Sequence, residues 1–220
     1  MHSSVLHIIQ DNHFWLSPHR CIYWEEQKAL IIADLHLGKS GHFRKSGIAV
    51  PQQLLMNDLH RLFHCIQYFK PEKLFIAGDM FHSTANKELD LFMRWRNDIS
   101  HVQIHLIKGN HDILHNSFYT DAAIDISDLQ LNHHPFYFVH DISGMKENMQ
   151  AQSFYFSGHI HPGIAMYGGS RQSLRFPCFY FTENYAVLPA FSAFAGYYIV
   201  RPKKQDKIFA LVKDSIMEMQ

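Results

Sequence analysis

The sequence predicts an α/β fold whose strands deliver ligand-forming side chains at their carboxyl ends. Three observations carry that expectation. Five short apolar runs rich in Ile, Val and Phe, at Ala29 to Ala33, Lys73 to Ala77, Val102 to Ile107, Phe136 to Val139 and Ser153 to Phe156, have the length and composition of strands, and each is followed by an Asp or a His. Helical periodicity separates the first three runs. The third run empties into Gly109-Asn110-His111-Asp112, a tetrapeptide that a random chain of this composition would contain with a probability on the order of 0.002.

The first run continues into Asp34-Leu35-His36. Between it and the second, Leu55, Leu59, Leu62, Phe63, Ile66 and Phe69 recur at helical spacing; Pro51 suits a first turn and Pro71 ends the pattern. A second helix is expected over Asn86 to Asp98, ahead of the third run. Alternating strands and helices indicate an α/β sheet, and in such sheets ligands bind beyond the carboxyl ends of the strands. The longest uncharged stretch, Asn184 to Val200, is shorter than a membrane span and holds Pro189 and Gly196, so it is expected to form two buried strands around a turn.

With 220 residues, 47% of them hydrophobic and 18% charged, the chain is expected to fold as one domain, residues 1–220, and a disordered chain is excluded. Twenty basic residues balance 20 acidic ones, so no global field draws in polyanions, and affinity for nucleic acid must be local. Cys21, Cys65 and Cys178 form no C-x-x-C pair and are expected to be reduced packing residues. No basic segment precedes the short apolar stretch at Val5 to Ile9, which argues against a secretion signal and for a cytoplasmic protein.

The polar clusters differ in weight. Asp-x-His triplets also occur at Asp11-Asn12-His13 and Asp58-Leu59-His60. Asp58 and His60 fall within the helical pattern, where i and i+2 face apart, whereas Asp34 and His36 continue a strand, where i and i+2 face the same way and can share one ion. Gly78-Asp79, with His82 close behind, supplies a further carboxylate. Asn110 offers a carbonyl oxygen and His111 an imidazole; His140 follows the fourth run, and Gly158-His159-Ile160-His161-Pro162 the fifth. Here the glycine would permit close backbone approach, and His159 and His161 again have the i, i+2 spacing.

Any one of 18 histidines is ordinarily a surface or core residue. Seven groups at five strand ends require another explanation. Asp34, Asp79, Asn110, His36, His140, His159 and His161 form a nitrogen and oxygen set without thiolates, which suits Mn, Fe, Zn, Ni or Co. They are too many for one ion. A carboxylate can bridge two ions held roughly 3.5 to 4 Å apart, the spacing that clamps attacking and leaving oxygens in phosphoryl transfer. Two divalent ions bring four positive charges and two aspartates remove two, so the site would attract phosphate.

The ordered set Asp34-x-His36, Gly78-Asp79, Gly109-Asn110-His111-Asp112, His140 and Gly158-His159-x-His161 resembles the calcineurin-like metallophosphoesterases. The resemblance implies a two-sheet β-sandwich flanked by helices, in α/β/β/α layers. It also implies that Asp34, His36, Asp79 and His161 surround one metal and Asp79, Asn110, His140 and His159 the other, with Asp79 as the bridge. His111 would act beside the scissile phosphate as general acid or charge stabiliser, and Asp112 would hold its ring.

Narrower stretches, Leu35-His36-Leu37-Gly38-Lys39, His42 to Pro51, Gly78-Asp79-Met80-Phe81-His82-Ser83, Pro177-Cys178-Phe179 and Leu188-Pro189-Ala190-Phe191, are similar to the bacterial ligase-associated DNA damage response endonucleases. That likeness implies a DNA phosphodiester substrate; the donor set without thiolates makes manganese the favoured choice for the two ions. The implied partners are an ATP-dependent DNA ligase, a helicase and a β-lactamase-fold exonuclease. The chain departs from the family pattern Gly-x-Phe-Thr-Gly, with Ser192-Ala193-Phe194-Ala195-Gly196 in its place.

Lys39, His42, Arg44 and Lys45 follow the first candidate ligands and could contact phosphates flanking the scissile bond. Arg201, Lys203 and Lys204 read as an exposed turn. No recognition helix, zinc finger or stacking motif is present, so DNA would be cleaved nonspecifically or by structure. Two rival readings use the same fold: a phosphoesterase acting on a nucleotide-linked small molecule or lipid pyrophosphate, and a non-catalytic scaffold, which would be expected to lack His111 or some ligands. All are present.

Overall fold

The structure, a computed structural model, describes residues 4–39, 53–82, 86–145, 149–167 and 173–219. All five apolar runs form strands. They do not share one sheet: β4 (Ala29–Ile32), β5 (Lys73–Ala77) and β6 (Gln103–Ile107) are parallel neighbours in the first, whereas β9 (Phe136–Val139) and β10 (Phe154–Ser157) are parallel neighbours in a second.

The first sheet begins with antiparallel strands, β1 (Val5–Ile9), β2 (Asn12–Ser17) and β3 (Cys21–Trp24), which run alongside β4, and it ends with β7 (Ile124–Ser127) parallel to β6. Gln10 and Asp11 join β1 to β2 with φ of 48° and 60°, the two-residue turn whose twist matches its flanking strands. The second sheet runs β14 (Tyr198–Ile199), β11 (Pro162–Tyr167), β12 (Ser173–Phe181), β13 (Tyr185–Val187), β10, β9, β8 (Gln130–His133), with β15 (Lys207–Val212) on β12 and β16 (Ser215–Met219) on β15.

Alternate side chains of each strand enter different cores, as the period of two requires. In β4 and β5, Leu30, Ile32, Leu74 and Ile76 face the helices, while Ala29, Ile31, Phe75 and Ala77 face the second sheet. In β9 and β10, Phe136, Phe138, Phe154 and Phe156 meet them in the space between the sheets, where Phe14 and Trp24 also pack. Burial on both faces is why β4 and β5 read as continuous apolar runs.

Two helices, α1 (Gln53–Phe69) and α2 (Asn86–Asp98), match the periodicity, and Leu59, Leu62, Ile66, Phe92 and Trp95 form their buried stripes. A short α3 (Asn116–Asp121) adds Tyr119 to the same core. Among the described residues, all three helices lie against the first sheet; the outer face of the second is covered by Ile142, Met145 and Met149 over Tyr137, Val139 and Tyr155. The result is a mixed α/β architecture of two multi-stranded sheets packed face to face, with helices on the first.

One expectation is corrected. The stretch from Asn184 to Val200 does not fold as two buried strands around a turn: β13 is mostly buried, but ten residues separate it from β14, where Tyr198 is exposed. Those intervening residues run along the ends of β4 and β10, where the backbone N–H groups of Leu188 and Phe191 bond to the carbonyls of Ser157 and Ala33. Cys21, Cys65 and Cys178 are free and buried. No helix among the described residues is long and apolar enough to cross a membrane.

Candidate metal centre

The ends of β4, β5 and β6 meet the ends of β9 and β10, and there the predicted residues converge. Asp34 and His36 do not continue the pleat of β4. Both adopt left-handed backbone, with φ of 52° and 50°, as do Asp79 (47°), His159 (71°) and His161 (49°). Non-glycine residues hold such angles only when their surroundings force them, and strain of this kind concentrates at functional sites. The hydrogen bonds that impose it at β4 are visible: Asp34 N–H donates to Gly78 O, and His36 N–H to Asp79 O.

Asp34 is fully buried. Its Oδ2 accepts from His159 N–H at 2.9 Å and lies 3.6 Å from His161 Nε2, while Oδ1 has no hydrogen-bond donor and lies 3.8 Å from His140 Nδ1. A buried carboxylate oxygen without a donor costs several kcal/mol unless a cation satisfies it. The imidazoles repeat the pattern. His36 Nε2 lies 3.2 Å from His161 Nε2, and His140 Nε2 lies 3.0 Å from both Asn110 Oδ1 and His159 Nδ1 and 3.6 Å from Asp79 Oδ2.

One ring nitrogen can satisfy at most one of those three neighbours. Lone pairs aimed at a common point are the geometry of a cation site, and two groups within ligating reach stand out: Asp34, His36 and His161, and Asp34, Asp79 and His140. Asp34 belongs to both. The residues therefore fit divalent metal, as the donor set without thiolates requires.

Hydrogen bonds on the far side of the rings fix which nitrogen faces inward. Nδ1 of His161 bonds to Gly196 O at 3.0 Å, and Nδ1 of His140 to Ala77 O at 3.4 Å, so each presents Nε2 as an acceptor. Asp141 Oδ2 lies 3.9 Å from His159 Nε2. Burial, followed by the nearby charges of Lys39 and the other histidines, pushes His36 down to about 2, so it is neutral and able to ligate at any working pH.

Glycines at the site are required by proximity. A Cβ on Gly78, whose φ is 85°, would meet His140 Nδ1 at 1.8 Å, and one on Gly158 would meet Asp34 Oδ2 at 2.4 Å.

His111 donates its N–H to Asp79 Oδ1 at 2.9 Å, and its ring lies 4.1 Å from that of His82 and 5.8 Å from that of His36, measured between centroids. Asp112 does not hold that ring. Its carboxylate accepts from the N–H groups of Phe81 (2.8 Å), Gly109 (2.9 Å) and Met80 (3.2 Å), so it ties the loop after β6 to the loop after β5. Burial pushes its carboxyl up to about 6 against the opposing pull of those donors.

Lys39 is half-buried within electrostatic reach of Asp34 and Asp79. His42, Arg44 and Lys45 lie outside the described residues. Sequence reasoning passed over Asp141, whose only signal is its place after His140, and the carbonyls of Ala77 and Gly196, which carry none. It also set aside Asp58, which is buried under the site in a charged network.

No protein-family model matches this chain, and no curated protein does. Among solved structures, the nuclease MPE of Pseudomonas putida superposes with a TM-score of 0.81 and 25% identity, covering 99% of this chain and 100% of that one. Yfce, a phosphoesterase from E. coli, gives a TM-score of 0.46 at 14% identity over 87% of this chain and 97% of that one. The chain thus shares its fold from end to end with the Pseudomonas nuclease, and it carries at the junction of its two sheets an Asp and His cluster fitted to divalent metal.

Proposed function

We propose that this protein is a dinuclear metal-dependent phosphodiesterase that hydrolyses DNA phosphodiester bonds, with a role in DNA repair. The observation that carries the reading is the convergence of Asp34, His36, Asp79, Asn110, His140, His159 and His161 where the two sheets meet, in two groups that share Asp34, with the buried Asp34 Oδ1 left without a donor and His140 Nε2 within 3.0 Å of both Asn110 Oδ1 and His159 Nδ1. The end-to-end likeness to a nuclease supports it.

Asp34, His36 and His161 would hold one ion, and Asn110, His140 and His159 the other, with Asp79 shared and Asp34, common to both groups, the alternative bridge. Two such ions, manganese preferred, would supply a cationic pocket for the phosphate and an activated water. The chain's own part is positional and acid–base. His111, anchored to Asp79 through its N–H and aimed into the cluster, protonates or stabilises the leaving oxygen. Lys39 contacts a flanking phosphate, together with His42 and Arg44. Partners of the same pathway, a DNA ligase, a helicase and an exonuclease, and a cytoplasmic location complete the proposal.

The test compares the purified protein on bis-para-nitrophenyl phosphate, the matching monoester, labelled single- and double-stranded DNA and a nucleotide-linked lipid, each with and without Mn²⁺. Metal-dependent cleavage of the diester and of DNA is expected. Activity undiminished by exhaustive chelation would overturn the metal reading, and turnover confined to the lipid or the monoester would overturn the substrate.

A further inference from the structure

Asp58, on α1, is 4% exposed although it carries a charge. Its Oδ1 accepts from Arg61 Nη2 at 2.7 Å and from Ala193 N–H at 3.2 Å, and its Oδ2 accepts from Ser192 Oγ at 3.0 Å. Arg61 Nη2 also donates to Phe191 O, and Arg20 Nη1 donates to Ala190 O at 3.1 Å and Ser192 O at 2.7 Å. Two guanidinium groups thus grip three successive carbonyls, with one carboxylate between them.

The opposite edge of that loop faces the metal centre. Phe191 N–H donates to Ala33 O at 2.7 Å and Ser192 N–H to Asp34 O at 3.2 Å. Asp34 is the residue common to both ligand groups, and its φ of 52° is a conformation it must be held in. Phe191 and Ser192 are therefore hydrogen-bonded on one side to the Asp34 turn and on the other to the buried charges of α1 and Arg20.

We propose that Asp58, Arg61 and Arg20 are positioning residues of the metal centre, acting through the backbone of Ala190 to Ala193 to fix the turn at Asp34. The inference rests on the reading of that cluster as a metal site. Removing the Asp58 charge leaves two guanidinium groups without their counter-charge and replaces one of its two acceptor oxygens by an amide N–H₂, so the loop and Asp34 shift together.

The test is calorimetric titration of the full chain with Mn²⁺, well below the melting temperature. Asp58→Asn is expected to weaken binding about 10- to 100-fold, the usual loss when a residue that orients a ligand is changed. Ser192→Ala, which deletes the hydroxyl that donates to Asp58 Oδ2 and accepts from Phe194 N–H, should weaken it several-fold, and Arg61→Lys should retain most of the affinity. As a control, Arg96→Lys perturbs a buried arginine that grips the carbonyls of Ile99, Val102, Ala122 and Ala123 away from the site. It should lower the melting temperature and leave Mn²⁺ affinity unchanged.

Wild-type affinity in folded Asp58→Asn, or in Ser192→Ala if Asp58→Asn does not fold, overturns the positioning role alone. Absence of Mn²⁺ binding by the unsubstituted protein overturns the metal reading and this inference with it.

Discussion

At the scale of residues, His111 and Asp112 are adjacent in sequence but do different work. His111 presents its ring to the cluster without lying in either ligand group. His111→Ala should therefore lower turnover by roughly 10² to 10⁴ while metal content, read by elemental analysis, stays at the wild-type value; loss of metal would make it a ligand. Asp112→Asn keeps one acceptor where three backbone N–H groups converge, so it should cost about 1 to 3 kcal/mol of stability. A thermal melt that matched wild type would restore a role limited to the neighbouring ring. The residue types at the site were legible because each lies within a few positions of a strand end. The donors from Met80 and Phe81 to the Asp112 carboxylate were not, since they are some thirty positions away in the chain.

At the scale of elements, β1 carries a histidine whose surroundings give a measurable pH dependence. The ring of His7 lies 4.5 Å from Phe181 and 5.4 Å from Phe209, and burial, with a smaller effect of Lys207, pulls it down from 6.5 to about 4. The unfolded chain then binds a proton that the folded chain refuses, so this residue's contribution is fully present above pH 6.5 and is lost as pH falls toward 4. Denaturant midpoints measured across that window should fall with a shallower slope for His7→Phe than for wild type; identical slopes would show that His7 is solvated. The strands of the five apolar runs and both long helices were legible because the runs are continuously apolar and each helix buries a face with a definite period. Strands β1 to β3 and β11 to β16 were not marked out by pattern, because most of them mix polar with apolar residues and lack a continuous apolar run.

At the scale of the whole molecule, the cluster draws Asp34 and Asp79 from the first sheet and His140, His159 and His161 from the second. An ion held by both sheets opposes their separation. Free Mn²⁺ at about 100 times its dissociation constant should stabilise the fold by about 2.7 kcal/mol, and chelation should remove the effect. Asp79→Asn should abolish the rise in melting temperature and deplete both metals, whereas His36→Ala should mainly weaken one. Equal single-metal loss in the two variants would move the bridge to Asp34.

The sequence by itself determined the α/β class, the five strands that carry the site and the chemistry of its donors, because apolar periodicity and residue type are local properties. Tertiary structure decided what depends on distant groups. The five strand ends belong to two sheets facing one another, so the site is a junction between layers rather than one edge of a single sheet. Left-handed turns, held by hydrogen bonds between neighbouring strand ends, aim Asp34 and His36 where a continued pleat was expected. Asp58, which helical spacing placed away from any metal, supports the Asp34 turn from beneath through Ser192, a contact across 134 positions that no local pattern encodes.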